Sequence, residues 1–134
     1  MNLETVFDFI KERRGYKMPL RFKLFNRIPL SEDELKIKGD LDLYSDNVSL
    51  LPDNLTVLGY LDIRGTQIKW LPDNLTVGGN LFASFLYIDS IPDNLRVGEG
   101  LYIQGNPLIE KYDSHQIRKM IEDKGGYVKG RIYV

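Results

Sequence analysis

The stretch LPDNLTVLGYLDIRGTQIKW, residues 51–70, decides the fold because it recurs with a period of twenty residues. LPDNLTV appears again at residues 71–77 and IPDNLRV at residues 91–97, and residues 31–50 form a degenerate copy without the proline. A strict short period is typical of solenoids, in which each repeat contacts only its neighbours. A single coil of twenty residues cannot bury this many leucines, so we expect four stacked coils over residues 31–110 to make a continuous core.

Within one repeat, the apolar residues are spaced too irregularly for a single amphipathic helix. The alternation of Leu61 and Ile63 predicts a short strand whose flanking side chains point outward. Pro52, Asp53 and Asn54 predict a turn, because proline presets φ and the Asp and Asn side chains bond nearby backbone. Each coil is therefore predicted as strand, bend, turn and extended return.

These residues resemble the twenty-residue bacterial type of leucine-rich repeat, L-P-x-x-L-x-x-L-x-x-L-x-[LIV]-x-x-N-x-[LI]-x-x. The matching positions are Leu51, Pro52, Leu55, Leu58, Leu61, Ile63 and Ile68. The resemblance covers about 80 residues and implies a curved solenoid whose short parallel strands line a concave, protein-binding face. We therefore predict a β-rich solenoid of leucine-rich-repeat-like coils with a short parallel sheet.

Two positions depart from the repeat pattern. The leucine at 58 is replaced by Lys38, Gly78 and Gly98, which would thin the core. The asparagine position holds Asp46, Thr66, Leu86 and Asn106 in successive coils. These departures leave open a β-helix-like solenoid in which Leu-Thr-Val forms a second strand in each coil.

The two ends of the chain are predicted to cap the solenoid. In the N-terminal cap, residues 1–30, an amphipathic helix is predicted over residues 2–14, followed by an edge strand from Leu20 to Leu24. In the C-terminal cap, residues 111–134, Ser114 is predicted to cap a helix that ends at Gly125, and YVKGRIYV is predicted to form a terminal strand. The buried face of this C-terminal helix is predicted to carry Ile117, Met120 and Ile121. Residues 1–134 are thus expected to form one complete domain.

Composition argues against several kinds of chemistry. The chain contains no cysteine, which excludes disulfides, thiolate nucleophiles and cysteine-ligated zinc and favours a cytoplasmic location. We expect no enzyme activity and no cofactor, since the only histidine, His115, has no nucleophile or carboxylate that the sequence can pair with it. Asp40, Asp42 and Asp46 do not form a calcium loop, because the turn glycine and the distal glutamate are missing. No membrane segment is present in the sequence.

The outward positions of the predicted strands form the candidate binding surface. They comprise Tyr44, Tyr60, Asp62, Arg64, Phe82, Ser84, Tyr102 and Gln104, and aromatic residues occur in every coil. Tyr, Phe and Arg are the residue types that anchor protein interfaces. Trp70 and Phe85 are possible second anchors, although Phe85 and Leu86 are also interpreted as filling the space left where Ile63 becomes Ala83.

Charge along the chain suggests a second class of partner. Residues 1–30 carry seven basic and three acidic groups, whereas residues 31–110 carry five and thirteen. Nucleic acid is the alternative ligand, contacted through basic residues of the N-terminal cap, Lys11, Arg13, Arg14, Lys17, Arg21 and Lys23.

The first hypothesis for the function is a monomeric protein-binding module, such as a bacterial or phage inhibitor or adaptor that engages a host or competitor protein. A structural component of a larger assembly is a further alternative.

Overall fold

The computed structural model describes residues 18–134, which form a parallel β-solenoid with a few short helices. The helices are α1 (Leu20–Phe25), α2 (Pro107–Lys111) and α3 (Ser114–Asp123). The strands are β1 (Lys36–Ile37), β2 (Leu41–Asp42), β3 (Thr56–Val57), β4 (Leu61–Asp62), β5 (Thr76–Val77), β6 (Leu81–Phe82), β7 (Arg96–Val97), β8 (Leu101–Tyr102), β9 (Tyr127–Val128) and β10 (Ile132–Tyr133). The predicted β-rich solenoid is confirmed.

Two five-stranded parallel sheets run along the solenoid. Sheet 1 has the order β1-β3-β5-β7-β9, and sheet 2 has the order β2-β4-β6-β8-β10. Residues twenty apart are paired between neighbouring coils, as Leu41 with Leu61 and Leu61 with Leu81. The second strand in each coil is the Leu-Thr-Val strand of the β-helix-like alternative. Each twenty-residue repeat therefore contributes one strand to each sheet.

The PDN turns are joined by side-chain ladders. Asn54, Asn74 and Asn94 all have positive φ, and the side-chain amide of Asn74 donates to Asn54 Oδ1 at 2.8 Å, as Asn94 does to Asn74. Asparagine tolerates this left-handed conformation better than most residues. Aspartates one position earlier accept the backbone N–H of the next coil, at 3.0 Å for Asp53 and Asp73 N. The Asp and Asn residues recur in these turns because the left-handed backbone conformation and the side-chain ladders both require them.

The core is a single apolar column in which the equivalent residues of successive coils stack. Leu55, Leu75 and Leu95 are completely buried, and the core cluster continues without interruption into both caps. Leu58 lies outside this column and is 49% exposed, so the prediction that glycine at this position thins the core is wrong. A Cβ atom on Gly78 would lie 2.2 Å from the Leu58 carbonyl oxygen. Glycine is therefore required there by the close approach of two backbones.

At the N-terminal end, the predicted edge strand from Leu20 to Leu24 is wrong, since Leu20–Phe25 form helix α1. Leu20 and Leu24 are four residues apart and share one helix face, with Leu24 buried and Leu20 packed against the core. The helix therefore places both leucines against the core. The predicted helix over residues 2–14 lies outside the described residues.

At the C-terminal end, the predicted helix is confirmed, with Ile117 and Ile121 buried. Its N-cap is Asp113 rather than the predicted Ser114, because Asp113 accepts the Gln116 N–H and Gln116 reaches back to the Asp113 N–H. The tail forms two strands, one in each sheet, instead of the single strand predicted. The C-terminal segment thus completes a fifth coil with α2 and α3 inserted.

Candidate functional site

The outward side of sheet 2, here called the strand face, gathers most of the predicted binding residues. Each coil presents three outward rows that start at residues 40, 42 and 44 and continue at twenty-residue intervals. In the last coil, β10 takes the place of the next repeat, so Ile132 pairs with Leu101 and Tyr133 with Tyr102. The row that begins at Asp42 therefore runs through Asp62, Phe82 and Tyr102 to Tyr133.

An aromatic ladder, consisting of Phe82, Tyr102 and Tyr133, occupies the middle and the C-terminal end of the strand face. The ring centroids of Phe82 and Tyr102 are 4.8 Å apart, and those of Tyr102 and Tyr133 are 4.2 Å apart with nearly parallel planes. A hydrogen bond with Tyr133, followed by partial burial, raises the pKa of Tyr102. Tyr60 meets the edge of Phe82 at 6.0 Å. The rings stack on one another, so their edges and hydroxyl groups are what the ladder offers to a partner.

Tyr133 was not among the predicted binding residues. Tyr133 lies in β10, which follows β8, its neighbour in sheet 2, by 31 residues rather than twenty, because α2 and α3 lie between these two strands. A fixed period read along the sequence cannot find such a position, although the alternation of Ile132 with its neighbours is the usual signal of a strand.

Arg64 is the fixed centre of the strand face. Its Nε and Nη2 atoms donate to both carboxylate oxygens of Asp62, at 3.0 and 2.7 Å. Its guanidinium carbon lies 5.4 Å from the Tyr44 ring centroid and 5.0 Å from that of Phe82, which is within cation–π range. The hydrogen bond to Asp62 raises the pKa of Arg64 above its ordinary value, so the group stays charged. One edge of the guanidinium, at Nη1, is left for a partner.

The first coil gives the strand face an acidic end. Asp40 accepts the Tyr60 N–H at 2.8 Å and Asp42 accepts the Tyr44 N–H at 3.0 Å, which holds both carboxylates outward on the sheet. Partial burial, and then the negative charges of Asp42, Asp40 and Asp62, raise the pKa of Tyr60. A positive group approaching this end is attracted, and a negative group is repelled.

Phe85 is the most exposed large apolar residue among the described residues, with 77% of its surface open. It occupies the left-handed turn position that Ser45, Gly65 and Gly105 hold in the other coils, with a φ of 56°. The interpretation that Phe85 refills the space beside Ala83 is therefore wrong, because the turn directs its side chain outward. Leu86, by contrast, is buried within the core cluster.

Neighbouring exposed rings extend this surface. Tyr87 is 74% exposed and Trp70 is 54% exposed, so the chain carries several large aromatic side chains in solvent. Tyr87 was missed because its position in the repeat holds Gln67 in the coil before, a plain polar residue. Phe85 lines a shallow depression of the strand face together with Arg64, Phe82, Ser84, Tyr102 and Gln104.

Two predicted contact residues are buried. Asp62 is 5% exposed beneath Arg64, and Ser84 is 7% exposed and donates to Gln104 Oε1 at 2.8 Å. Asp62 therefore positions Arg64, and Ser84 positions Gln104. The remaining predicted residues, Tyr44, Tyr60, Arg64, Phe82, Tyr102 and Gln104, are all partly or fully exposed on the strand face.

The basic residues of the N-terminal cap are only partly described. Lys11, Arg13, Arg14 and Lys17 lie outside the described residues. Arg21 forms an ion pair with Asp46 and donates to the Asp42 carbonyl at 2.7 Å, and Lys23 bonds both oxygens of Glu34 at 2.7 and 2.8 Å. These two cations are thus engaged with carboxylates of the first coil, which reduces what they can offer to phosphate.

Residues 18–134 hold no cluster of three or more side chains suited to bind a metal ion. Asp40, Asp42 and Asp46 instead bond backbone N–H groups or Arg21. His115 is exposed in the first turn of α3. In the same part of the chain, no helix is both long and apolar enough to cross a membrane.

No protein-family model, curated protein or solved structure matches this chain. The likeness to short leucine-rich repeats therefore rests on the repeat letters.

Proposed function

We propose that this protein is a non-enzymatic binding module that engages another protein through the strand face and the adjoining Phe85 and Tyr87. The observation that carries this proposal is Phe85, a phenylalanine held in a left-handed turn with its ring in solvent. A bulky residue in this conformation costs about 1–2 kcal/mol compared with glycine. Two equivalent coil positions use glycine, so folding alone gives no reason for phenylalanine here.

The arrangement around Phe85 supports a protein partner. Interfaces draw most of their binding energy from a few aromatic and arginine side chains, which lose little conformational freedom on binding. Here Arg64 is already fixed by Asp62 and by two aromatic rings, and Phe82 is fixed by Tyr102. A preorganised surface of this kind does not have to order its side chains when a partner binds.

The likeness of residues 51–70 to bacterial leucine-rich repeats supports a finer proposal, that the chain is a bacterial or phage inhibitor or adaptor acting on a host or competitor protein. The same likeness is the basis for proposing a distant relationship to that family, whose strand face binds proteins. Nucleic acid is less well supported, because Arg21 and Lys23 are paired with carboxylates.

The test is affinity capture from cells with wild-type protein, Phe85→Gly and a control, Leu58→Ala, on the outward side of sheet 1. Phe85→Gly removes the ring and relaxes the turn, so the variant remains folded. We expect Phe85→Gly to lose the partner that wild-type protein and Leu58→Ala both retain. Capture of the same partner at the same level by all three proteins would contradict the proposal, and dissociation that depends steeply on salt with a nucleic acid would favour the alternative.

A further inference from the structure

The strand face carries charges of opposite sign at its two ends. Asp40 directly precedes β2 in the first coil and Arg131 directly precedes β10 in the last, so both belong to the same outward row. Both residues are exposed, and neither forms a salt bridge within residues 18–134. Four strand spacings of about 4.8 Å separate them by about 19 Å. The row between them changes from an acidic end to a basic end.

We propose that the strand face pairs with the strand face of a second copy of this chain, around a two-fold axis that runs parallel to the strands through the third coil. Such an axis reverses the order of the coils and keeps each row opposite the same row. The first coil then faces the fifth coil of the second copy, and the third coil faces itself. The resulting contact is isologous and closes at two copies.

This axis places complementary groups opposite one another. Asp40 faces Arg131 of the second copy, and the ring of Tyr60 faces the buried Gly100, which the rings of Tyr102 and Tyr133 cover. In the next row, Asp42 faces Tyr133, whose hydroxyl can donate to the carboxylate. Two Asp40 to Arg131 pairs form in each dimer because of the symmetry.

The third row also matches under the same operation. Arg64 faces Gln104 of the second copy, and its Nη1 atom, which makes no hydrogen bond within the described residues, lies on the side open to an acceptor. Phe82 lies on the axis and faces its own copy. Strands of the two sheets run in the same direction, as in aligned sheet packing, where twisted sheets cross at about 30°.

A face-to-face two-fold axis along the stacking direction is disfavoured by charge. Such an axis keeps the coil order but reverses the order of the three rows, so Asp42 faces Asp42 of the second copy and Asp40 faces Tyr44. Arg131 then has no acidic group opposite it, because the third row ends at Gln104 in the fourth coil. Like charges brought together at Asp42 repel, so the charge order favours the first axis.

The size of the face makes the dimer weak. Five strands span about 19 Å, and the three outward rows span about 13 Å along each strand. With the side chains at its margins, the face covers roughly 500 Å² per copy, compared with about 800 Å² in a stable interface. We therefore expect the dimer to form at protein concentrations of hundreds of micromolar, and not at nanomolar concentrations. This expectation differs from the monomer predicted from the sequence.

Charge reversal with rescue tests the proposal by analytical ultracentrifugation between about 10 µM and 1 mM. Arg131→Asp should weaken the dimer at least about tenfold, because both symmetric pairs become repulsive. Asp40→Arg should do the same, and the double variant with both changes should restore the wild-type dissociation constant to within about threefold. Melting curves check that each variant is folded, since Asp40→Arg removes the acceptor of the Tyr60 N–H. A wild-type monomer at 1 mM, or a double variant no tighter than the single ones, would overturn the proposal.

A cross-linking experiment gives a second test that leaves the charges unchanged. The chain has no cysteine, and Asn80 lies in the third coil, where each residue faces its own copy. Facing sheets lie about 10 Å apart, too far for a direct disulfide. A bismaleimide cross-linker long enough to span about 10 Å should therefore join Asn80→Cys into a covalent dimer rapidly, whereas the control Thr76→Cys, in sheet 1 of the same coil, should not be joined. Equal rates for the two variants would contradict the two-fold axis. Neither test involves another protein, so its failure leaves the proposed partner binding open, and failed capture leaves the dimer open.

Discussion

Replacing Phe85 with glycine should leave the free energy of unfolding nearly unchanged. Phe85 keeps 77% of its surface exposed, so about a quarter of the 150–250 Å² of a phenylalanine is buried, and losing it costs about 1 kcal/mol. The freedom of glycine in the unfolded chain costs about 0.4–1 kcal/mol more. Relaxing the left-handed turn returns about 1–2 kcal/mol. The net change is therefore within about 1 kcal/mol of zero, whereas a core phenylalanine would lose several.

A double-mutant cycle with Gly105 isolates the contact between the two turns. A Cβ atom on Gly105 would lie 2.2 Å from Cδ1 of Phe85, and Gly105 itself has a φ of 73°. Gly105→Ala should cost about 1–2 kcal/mol from backbone strain, plus about 1 kcal/mol when the Phe85 ring must move away. In the Phe85→Gly background only the strain remains, so the coupling is about 1 kcal/mol.

Urea denaturation of the four proteins measures these terms. Destabilisation of more than about 2 kcal/mol by Phe85→Gly alone would show that the ring is a structural element, and the argument for a binding role would lose its basis. Additive effects of the two substitutions would refute the placement of the ring over Gly105.

Three further predictions concern the scaffold. Asn106→Leu should destabilise the protein by at least about 3 kcal/mol in urea denaturation, because the buried amide bonds four backbone groups that would each lose a partner; a loss under 1 kcal/mol would contradict this. The bond from Lys23 lowers the pKa of Glu34 below its ordinary value of 4.5, so wild-type protein should be more stable than Glu34→Gln above that pH, and the advantage should disappear as the pH falls through the lowered pKa; an advantage that grows in acid would be the wrong sign. Insertion of a second copy of residues 71–90 after Ser90 should give a folded solenoid that is at least as stable in thermal melting, because each coil contacts only its neighbours, and an unfolded product would show that the repeats are not interchangeable.

The solenoid itself could be predicted because its determinants are local and repeated. Leu55 and its equivalents determine the core, and the Pro-Asp-Asn residues determine the turn, so each coil repeats the same core and turn residues. The two-residue strand at Thr56 and Val57 was foreseen only as an alternative, since two residues are too few to show an alternating pattern. The N-terminal helix α1 was missed because LRFKLF fits strand alternation as well as the spacing of Leu20 and Leu24 on a helix.

The candidate site was less predictable because side-chain exposure depends on contacts between coils. Strand parity places Asp62 outward, yet the neighbouring Arg64 covers it. The sequence leaves Phe85 open between an anchor and a core residue, because it gives the size of the side chain and not its φ. The asparagine position shows the same limit: Leu86 lacks a polar side chain, but its N–H is accepted by Asn106 from the next coil, at 3.1 Å. The polar group that one coil lacks is thus supplied by its neighbour.

These contacts indicate that the rows, rather than the repeats, are the units in which the strand face varies. Asp42 and Asp62 are followed in the same row by Phe82, Tyr102 and Tyr133, and each ring lies against the next. A single aromatic substitution at Asp62 would place a ring where Arg64 needs a carboxylate, so change in this row must be coordinated between adjacent coils. In the turn half of the repeat, the side-chain ladder requires the same residue type, asparagine, in every coil. In the strand half, a row can hold different residue types, provided that each side chain fits those of the adjacent coils. This difference explains how the chain can keep one set of turns and still present an acidic end and an aromatic end on the same sheet.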